Sequence, residues 1–95
     1  MPVKPETDAL LRKAHHALEA ARRDLDATDA DNAISRAYYA TFYAATAALS
    51  ETDLTAHTHK GTHHLFYQHY IDSGIVDYQH HRAFLRLFQN RQDVD

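Results

Sequence analysis

An arginine and two tyrosines stand at helical spacing in the middle of the chain, where together they could recognise a phosphate and a base. Arg36, Tyr39 and Tyr43 occupy positions i, i+3 and i+7, so a helix would place them on one face. Arginine can contact a phosphate through two hydrogen bonds at once, and tyrosine rings stack on bases. The alternative is structural: Arg36 pairs with an aspartate at a dimer interface, and the tyrosines fill the core with their hydroxyls at its rim.

Histidines gather further along the chain, between residues 57 and 64. His59 and His63 are four residues apart, a spacing that can hold zinc on a helix, but no aspartate or glutamate stands beside them as a third ligand. We therefore predict no metal site and expect exposed histidines. His59 and Lys60 could instead bind a phosphate at the start of a helix, where backbone N–H groups are free and the helix dipole is positive.

Arg91 and Asp95 form a third candidate pair near the end of the sequence. On spacing alone they are typical of an ion pair on a helix surface, worth about 0.3 kcal/mol. The sequence has no Gly-rich phosphate loop, no Ser-His-Asp order and no cysteine. These residues therefore predict no cofactor.

Length and charge restrict the class of protein. Ninety-five residues make one domain with a thin core, which small proteins often stabilise with a partner subunit. The formal net charge of −3 argues against an open, strongly basic surface for nucleic acid. The first residues contain no apolar run of signal-peptide length, and no segment has the length and apolarity of a membrane span. We expect a cytoplasmic protein without membrane contact.

Helical periodicity predicts the elements that must position these residues. The predicted helices cover residues 8–26, 31–50, 59–71 and 77 to the chain end. Thr7 or Asp8 is predicted to cap the first helix, and Gly74 is predicted to end the third in a left-handed conformation. Apolar residues recur along the first helix at Leu11, Ala14, Leu18, Ala21 and Leu25.

The second predicted helix is apolar on two sides. One stripe contains Ile34, Ala37, Tyr38, Thr41, Ala45, Ala48 and Leu49. The neighbouring side, which we call the aromatic face, contains Tyr39, Phe42, Tyr43 and Thr46. A helix of this kind lies at the centre of a bundle or serves both a core and an interface. We expect the aromatic face to form a homodimer interface.

Three segments resemble the signature of the HEPN domain family. Residues 32–45 read NAISRAYYATFYAA, and residues 59–61 read HKG, which resembles the element that opens the third helix of the family. YIDSGIVD at residues 70–77 resembles its helix-loop-helix turn, and RQDVD at residues 91–95 resembles the start of its final Arg-x-x-x-Asp-Tyr element. The match spans roughly residues 10–95 in the same order and spacing.

The resemblance implies a fold and a setting. The fold is all-α, an antiparallel up-and-down four-helix bundle that dimerises, or the same bundle with a fifth helix missing at the C-terminus. The setting is a toxin–antitoxin or related defence system, in which nucleotide or RNA is the ligand and a nucleotidyltransferase the partner protein. Arg36 and Arg91 would face the ligand, with Arg91 as the candidate catalytic residue.

Many HEPN proteins are metal-independent ribonucleases that use an Arg-x4-6-His motif, whose two residues meet across a dimer. No arginine of this chain is followed by a histidine at that spacing. The leading prediction is therefore a dimeric domain that binds nucleotide or RNA. The alternatives are a metal-independent ribonuclease toxin and a purely structural dimerisation module. Tyr39 and Tyr43 would shape the ligand groove, with His59 and Lys60 at its rim and Asp95 beside Arg91.

Overall fold

The protein is all-helical, as predicted. The computed structural model describes the backbone of residues 3–94 and the side chains of residues 3–91. Helices α1 to α4 cover Pro5–Asp26, Ala30–Glu51, His59–Phe66 and Tyr78–Val94. A π-helical turn, Tyr67–Ile71, continues α3. No helix of the described chain has the length and apolarity needed to cross a membrane.

Helix α1 begins earlier than its predicted cap. Proline at the first helical position lacks only an N–H that would have no partner there, so Pro5 starts the helix. The prediction that Thr7 or Asp8 caps α1 is therefore wrong, because both lie inside the first turns. Thr7 is buried instead and donates a hydrogen bond of 2.8 Å to the carboxylate of Glu51, at the far end of α2.

Helix α2 is the centre of the fold. Its N-terminus is capped by Asp29, whose side chain accepts from the backbone N–H of Asn32 at 3.3 Å. Helix α1 runs antiparallel to it, since Thr7 meets the end of α2 and Asp24 meets its start at Arg36. Within the described residues, α3 and α4 also pack against α2, whereas α1 makes no backbone contact with either of them. Helix α2 thus packs against all three of the other α-helices.

The core lies between α2, α3 and α4. Its largest fully buried side chains are Tyr38, Leu49 and Phe84. Within the apolar stripe predicted on α1, only Ala21 is buried, and the three leucines are exposed to solvent. Leu11, Leu18 and Leu25 are 37%, 40% and 64% exposed.

The end of α3 contains a feature that the periodicity did not predict. The backbone N–H of Asp72 bonds the carbonyl of Tyr67 at 2.8 Å and closes the wider π turn. The Tyr70 hydroxyl donates to the carbonyl of Ala48 at 2.6 Å and ties this turn to α2. Gly74 follows with a φ of 83°, which confirms the predicted left-handed stop.

Candidate functional site

Arg91 on α4 lies against the aromatic face of α2. Its guanidinium carbon is 5.3 Å from the ring centre of Tyr38 and 4.9 Å from that of Tyr39. One of its terminal nitrogens donates a hydrogen bond of 2.7 Å to the Tyr39 hydroxyl. A guanidinium attracted by two ring faces and held by a hydrogen bond keeps one orientation. The structure thus fixes a half-buried cation on a surface formed by two helices.

Two histidines of α3 contact Tyr38, and one of them also contacts Tyr39. The Tyr38 hydroxyl oxygen lies 2.9 Å from Nδ1 of His59 and 3.3 Å from Nε2 of His63. The His59 ring stacks on Phe42 at 4.2 Å between centres and meets the edge of Tyr39 at 6.1 Å. We call Tyr38, Tyr39, His59, His63 and Arg91 the Arg91 cluster.

Burial sets the charge of this cluster. It raises the pKa of Tyr38 to about 12, so the phenol keeps its proton at neutral pH. Burial lowers the pKa of His63 to about 4, with smaller contributions from His59 and His81. Burial and then the positive charge of Arg91 lower the pKa of His59. At neutral pH the cluster therefore holds a neutral phenol and two neutral imidazoles beside one guanidinium.

The start of α3 is capped by the protein itself. The Thr58 hydroxyl accepts from the backbone N–H of Gly61 at 2.9 Å. A Cβ atom at position 61 would lie 3.0 Å from that hydroxyl, so glycine lets the cap close. Lys60 is exposed. One N–H predicted to be available to a phosphate is thus already bonded, and a ligand here would rely more on the side chains of His59 and Lys60.

Arg36 lies in a different environment from the one that its spacing with Tyr39 predicted. Its Nε atom lies 2.7 Å from a carboxylate oxygen of Asp24 on α1. This arginine–aspartate pairing is that of the structural alternative, and it forms within one chain. Arg36 therefore joins α1 to α2, whereas Arg91 joins α4 to α2.

Tyr43 connects the Arg91 cluster to α1. Its ring centre is 6.0 Å from that of Tyr39, and the Nζ of Lys13 lies 5.7 Å above it. Lys13 thus adds a second positive charge beside the aromatic face. Asp95, predicted to pair with Arg91, lies outside the described residues.

In this structure, the four-residue spacing of His59 and His63 lets both imidazoles contact one hydroxyl group. Both imidazoles are directed to the oxygen of Tyr38. Among the described side chains, those of residues 3–91, no three histidine, aspartate or glutamate side chains are arranged to hold a metal ion. The expectation of surface histidines is wrong at His63, which is 8% exposed because its ring stacks on Phe84 at 3.9 Å.

A second surface feature lies on the opposite side of α2. A groove of about 460 Å³ runs between α1 and α2 and reaches Leu87 of α4. Its continuation toward the end of α1 has the same volume and is lined almost wholly by apolar atoms. We call it the alanine groove, after its floor on α2. Its lining includes Leu11, Ala14, Leu18, Leu25, Ala33, Ile34, Ala37, Ala40, Ala44 and Leu87.

Comparison with known proteins identifies the family of this all-helical chain. The model of the HEPN domain matches residues 7–94, and the chain belongs to the HEPN domain family. A protein of Gloeobacter violaceus named "UPF0332 protein glr0978" is 38% identical over 81 residues, 85% of this chain and 64% of that protein. A protein of Methanocaldococcus jannaschii named "Putative toxin MJ0142" is 28% identical over 92 residues, 97% of this chain and 63% of that protein.

The chain spans just under two thirds of the length of these two relatives. No solved structure matches the chain significantly. The family and the helical fold are therefore established, and the ligand and partners are matters for proposal.

Sequence reasoning found Arg91, Tyr39 and His59 but missed two members of the cluster. The periodicity places Tyr38 in the apolar stripe of α2, and the spacing of His63 predicts only a zinc ligand or a surface residue. A local signal for His63 exists, because it stands four residues after His59 and three before the apolar Phe66, which places the three residues on neighbouring parts of one helix face. That signal does not identify the partner, since Tyr38 is on another helix.

Proposed function

We propose that this HEPN domain binds a phosphate of a nucleotide or RNA at the Arg91 cluster. The observation that carries the proposal is the fixed guanidinium of Arg91, held over Tyr38 and Tyr39 beside the half-buried His59. Guanidinium groups suit phosphate oxygens, and the neighbouring Tyr43 offers a ring face for a base. Lys13 and Lys60 add positive charge nearby, although the whole chain is acidic.

Binding of a short fluorescent single-stranded RNA and of mononucleotides, followed by anisotropy at two salt concentrations, tests this proposal. Arg91→Ala is expected to weaken binding roughly 10- to 100-fold, the range for a hydrogen bond to a charged group. It should also make the slope of log K against log[salt] less steep, by about the amount expected for one phosphate contact. Arg86→Ala is the matched control, because Arg86 is exposed on the same helix. Equal effects of both substitutions would contradict the proposal.

A metal-independent ribonuclease is the second candidate, and one observation favours it. His59 and Arg91 both contact the ring of Tyr39, so α3 brings a histidine near an arginine that has none at the family spacing on α4. An arginine could stabilise the charged transition state while a histidine handles protons. RNA cleavage that persists in EDTA and disappears in both Arg91→Ala and His59→Asn would support this candidate.

We also propose that the protein acts as a homodimer in the cytoplasm, with a nucleotidyltransferase as partner in a toxin–antitoxin-like system. Family membership and the name of one relative support the setting. The exposed leucines of the alanine groove support the homodimer, because apolar patches of this kind commonly mark interfaces.

Purification of the tagged protein from source cells, with mass spectrometry of bound protein and nucleic acid, tests the setting. A nucleotidyltransferase in stoichiometric amount would support it. A homodimer with nothing bound, together with unchanged RNA titrations for Arg91→Ala, would instead favour the third candidate, a purely structural dimerisation module.

A further inference from the structure

The Tyr38 hydroxyl lies between two imidazoles and can donate its one proton to only one of them. Its oxygen is 2.9 Å from Nδ1 of His59 and 3.3 Å from Nε2 of His63. The Tyr38 side chain is fully buried, so these nitrogens are its partners in place of water. The hydroxyl must therefore donate to one histidine and accept from the other if both contacts are hydrogen bonds.

The environment of His63 decides between the two directions. Its Nδ1 atom is buried and has no hydrogen-bond partner among the described residues. A proton on Nδ1 would bury an unpaired N–H, which costs about 1–3 kcal/mol. A proton on Nε2 leaves only an unfilled acceptor at Nδ1, and structures tolerate buried unfilled acceptors better than buried unpaired donors. The Nε2–H group of His63 therefore donates to the oxygen of Tyr38.

The direction of the second hydrogen bond follows from the first. With its oxygen accepting from His63, Tyr38 donates its own proton to Nδ1 of His59. The proton of the neutral His59 ring then lies on Nε2. That nitrogen has no bonding partner in the described part of the chain and is absent from its buried unpaired atoms, so solvent reaches it.

We infer that Tyr38 and His63 are positioning residues that hold His59 as the Nε2–H tautomer, so that His59 donates a hydrogen bond to the phosphate oxygen bound by Arg91. Tyr39 connects the two groups, because its ring makes a T-shaped contact with the ring of His59 and its hydroxyl accepts from Arg91. The inference rests on the proposed function for its ligand, but the tautomer follows from the protein alone.

The assignment also gives His59 a chemical role. A neutral imidazole with its proton on Nε2 donates to an anion and cannot take a proton at that atom. A base at Nε2 would require the opposite chain of hydrogen bonds, with an unpaired N–H buried at His63. The ligand-free protein thus presents two donors, Arg91 and His59, and suits binding of a phosphate better than abstraction of a proton.

Histidine tautomers can be measured directly in the ligand-free protein by long-range proton–nitrogen NMR correlation with labelled histidine. The measurement is made at about pH 8, above the ordinary pKa of histidine. We expect protonated Nε2 and unprotonated Nδ1 for both His59 and His63. The exposed His57 is the internal control and should show averaged nitrogen shifts. A proton on Nδ1 of His59 in the wild-type protein would overturn the inference.

Removal of the Tyr38 hydroxyl tests whether Tyr38 causes the tautomer preference of His59. In Tyr38→Phe, His59 should lose its preference for the Nε2–H tautomer, and its nitrogen shifts should approach those of His57. If this variant does not fold, the wild-type spectrum still decides the tautomer. A folded Tyr38→Phe protein with an unchanged His59 spectrum would show that Tyr38 does not position the ring.

Titration with adenosine monophosphate, with inorganic phosphate in parallel, separates this inference from the proposed function. We expect the Hε2 signal of His59 to move downfield as phosphate binds. His59→Asn removes the outer donor and should weaken binding roughly tenfold, whereas His59→Gln places an amide N–H near Nε2 and should restore part of the loss. An Nε2–H tautomer that responds to neither probe would contradict phosphate binding and leave the tautomer assignment standing.

Discussion

The two sides of α2 differ in how completely the chain covers them. One side of α2 holds Tyr38 and the aromatic face, and we call it the aromatic side. There, Arg91 and the two histidines of α3 contact Tyr38 and Tyr39 through hydrogen bonds and ring contacts. On the side of the alanine groove, α1 lies close to α2 but leaves Leu11, Leu18 and Leu25 accessible. Large aromatic rings fill the space between helices, whereas alanines leave a channel that only another apolar surface could fill. The first side carries the proposed ligand site, and the second the proposed homodimer interface.

The largest expected effect comes from removing the centre of the aromatic side. Tyr38 is fully buried and contacts six aromatic or imidazole rings. Tyr38→Ala should lower the free energy of unfolding by about 3–5 kcal/mol, measured by urea denaturation. Tyr78→Ala is the control, because Tyr78 is 55% exposed. A loss no greater than that of the control would mean that this side is not the core of the fold.

Acid should destabilise the same region. The pKa of His63 is about 4 in the folded protein, against its ordinary 6.5. The unfolded chain therefore binds more protons between these values, and stability should fall as pH decreases from about 6.5 to about 4. At about 1.36 kcal/mol per pKa unit, the loss approaches about 3 kcal/mol.

Denaturation curves of the wild-type protein and of His63→Phe across this range measure that loss. In His63→Phe, the free energy of unfolding should depend much less on pH, because only the smaller pKa shifts of His59 and His81 remain. An identical slope in both proteins would show that His63 is not the group responsible.

The alanine groove should respond to a charge placed in it. If it is the homodimer interface, Leu18→Glu would bury a carboxylate against apolar atoms of the partner copy. The dimer dissociation constant should then rise at least about tenfold, measured by light scattering across protein concentrations. Ile75→Glu is the control, because Ile75 is 70% exposed outside the groove. A dimer that survives Leu18→Glu and dissociates in Tyr43→Glu would assign the interface to the aromatic face, as predicted from sequence.

The smallest expected effect is that of Arg36→Ala, which distinguishes Arg36 from Arg91. The Arg36–Asp24 pair is half-exposed and should contribute less than about 1 kcal/mol, so Arg36→Ala should change stability slightly. If the ligand binds at the Arg91 cluster, Arg36→Ala should leave RNA binding unchanged in the anisotropy titrations, whereas Arg91→Ala should not. A loss of binding in Arg36→Ala would extend the site toward α1.

The sequence predicted most of the fold. Helical periodicity, few glycines and prolines, and the turn at Gly74 gave four helices within a few residues of their observed bounds. The start of α1 differed because Pro5 begins a helix without a side-chain cap. The periodicity does not predict the π turn at Tyr67–Ile71, because one wider turn of five residues is too short to stand out against the period of an α-helix.

The sequence by itself determined the helices, the central position of α2 and the chemical types available at the site, because these depend on neighbours within one helix. Only the tertiary structure decided which groups meet. Tyr39 and Arg91 are 52 positions apart, and Tyr38 and His59 are 21 apart. Arg36 shares its helix face with Tyr39, yet it pairs with Asp24 because α1 packs beside it. Residue spacing sets which side chains share a face, and the packing of helices distant in sequence sets what that face contacts.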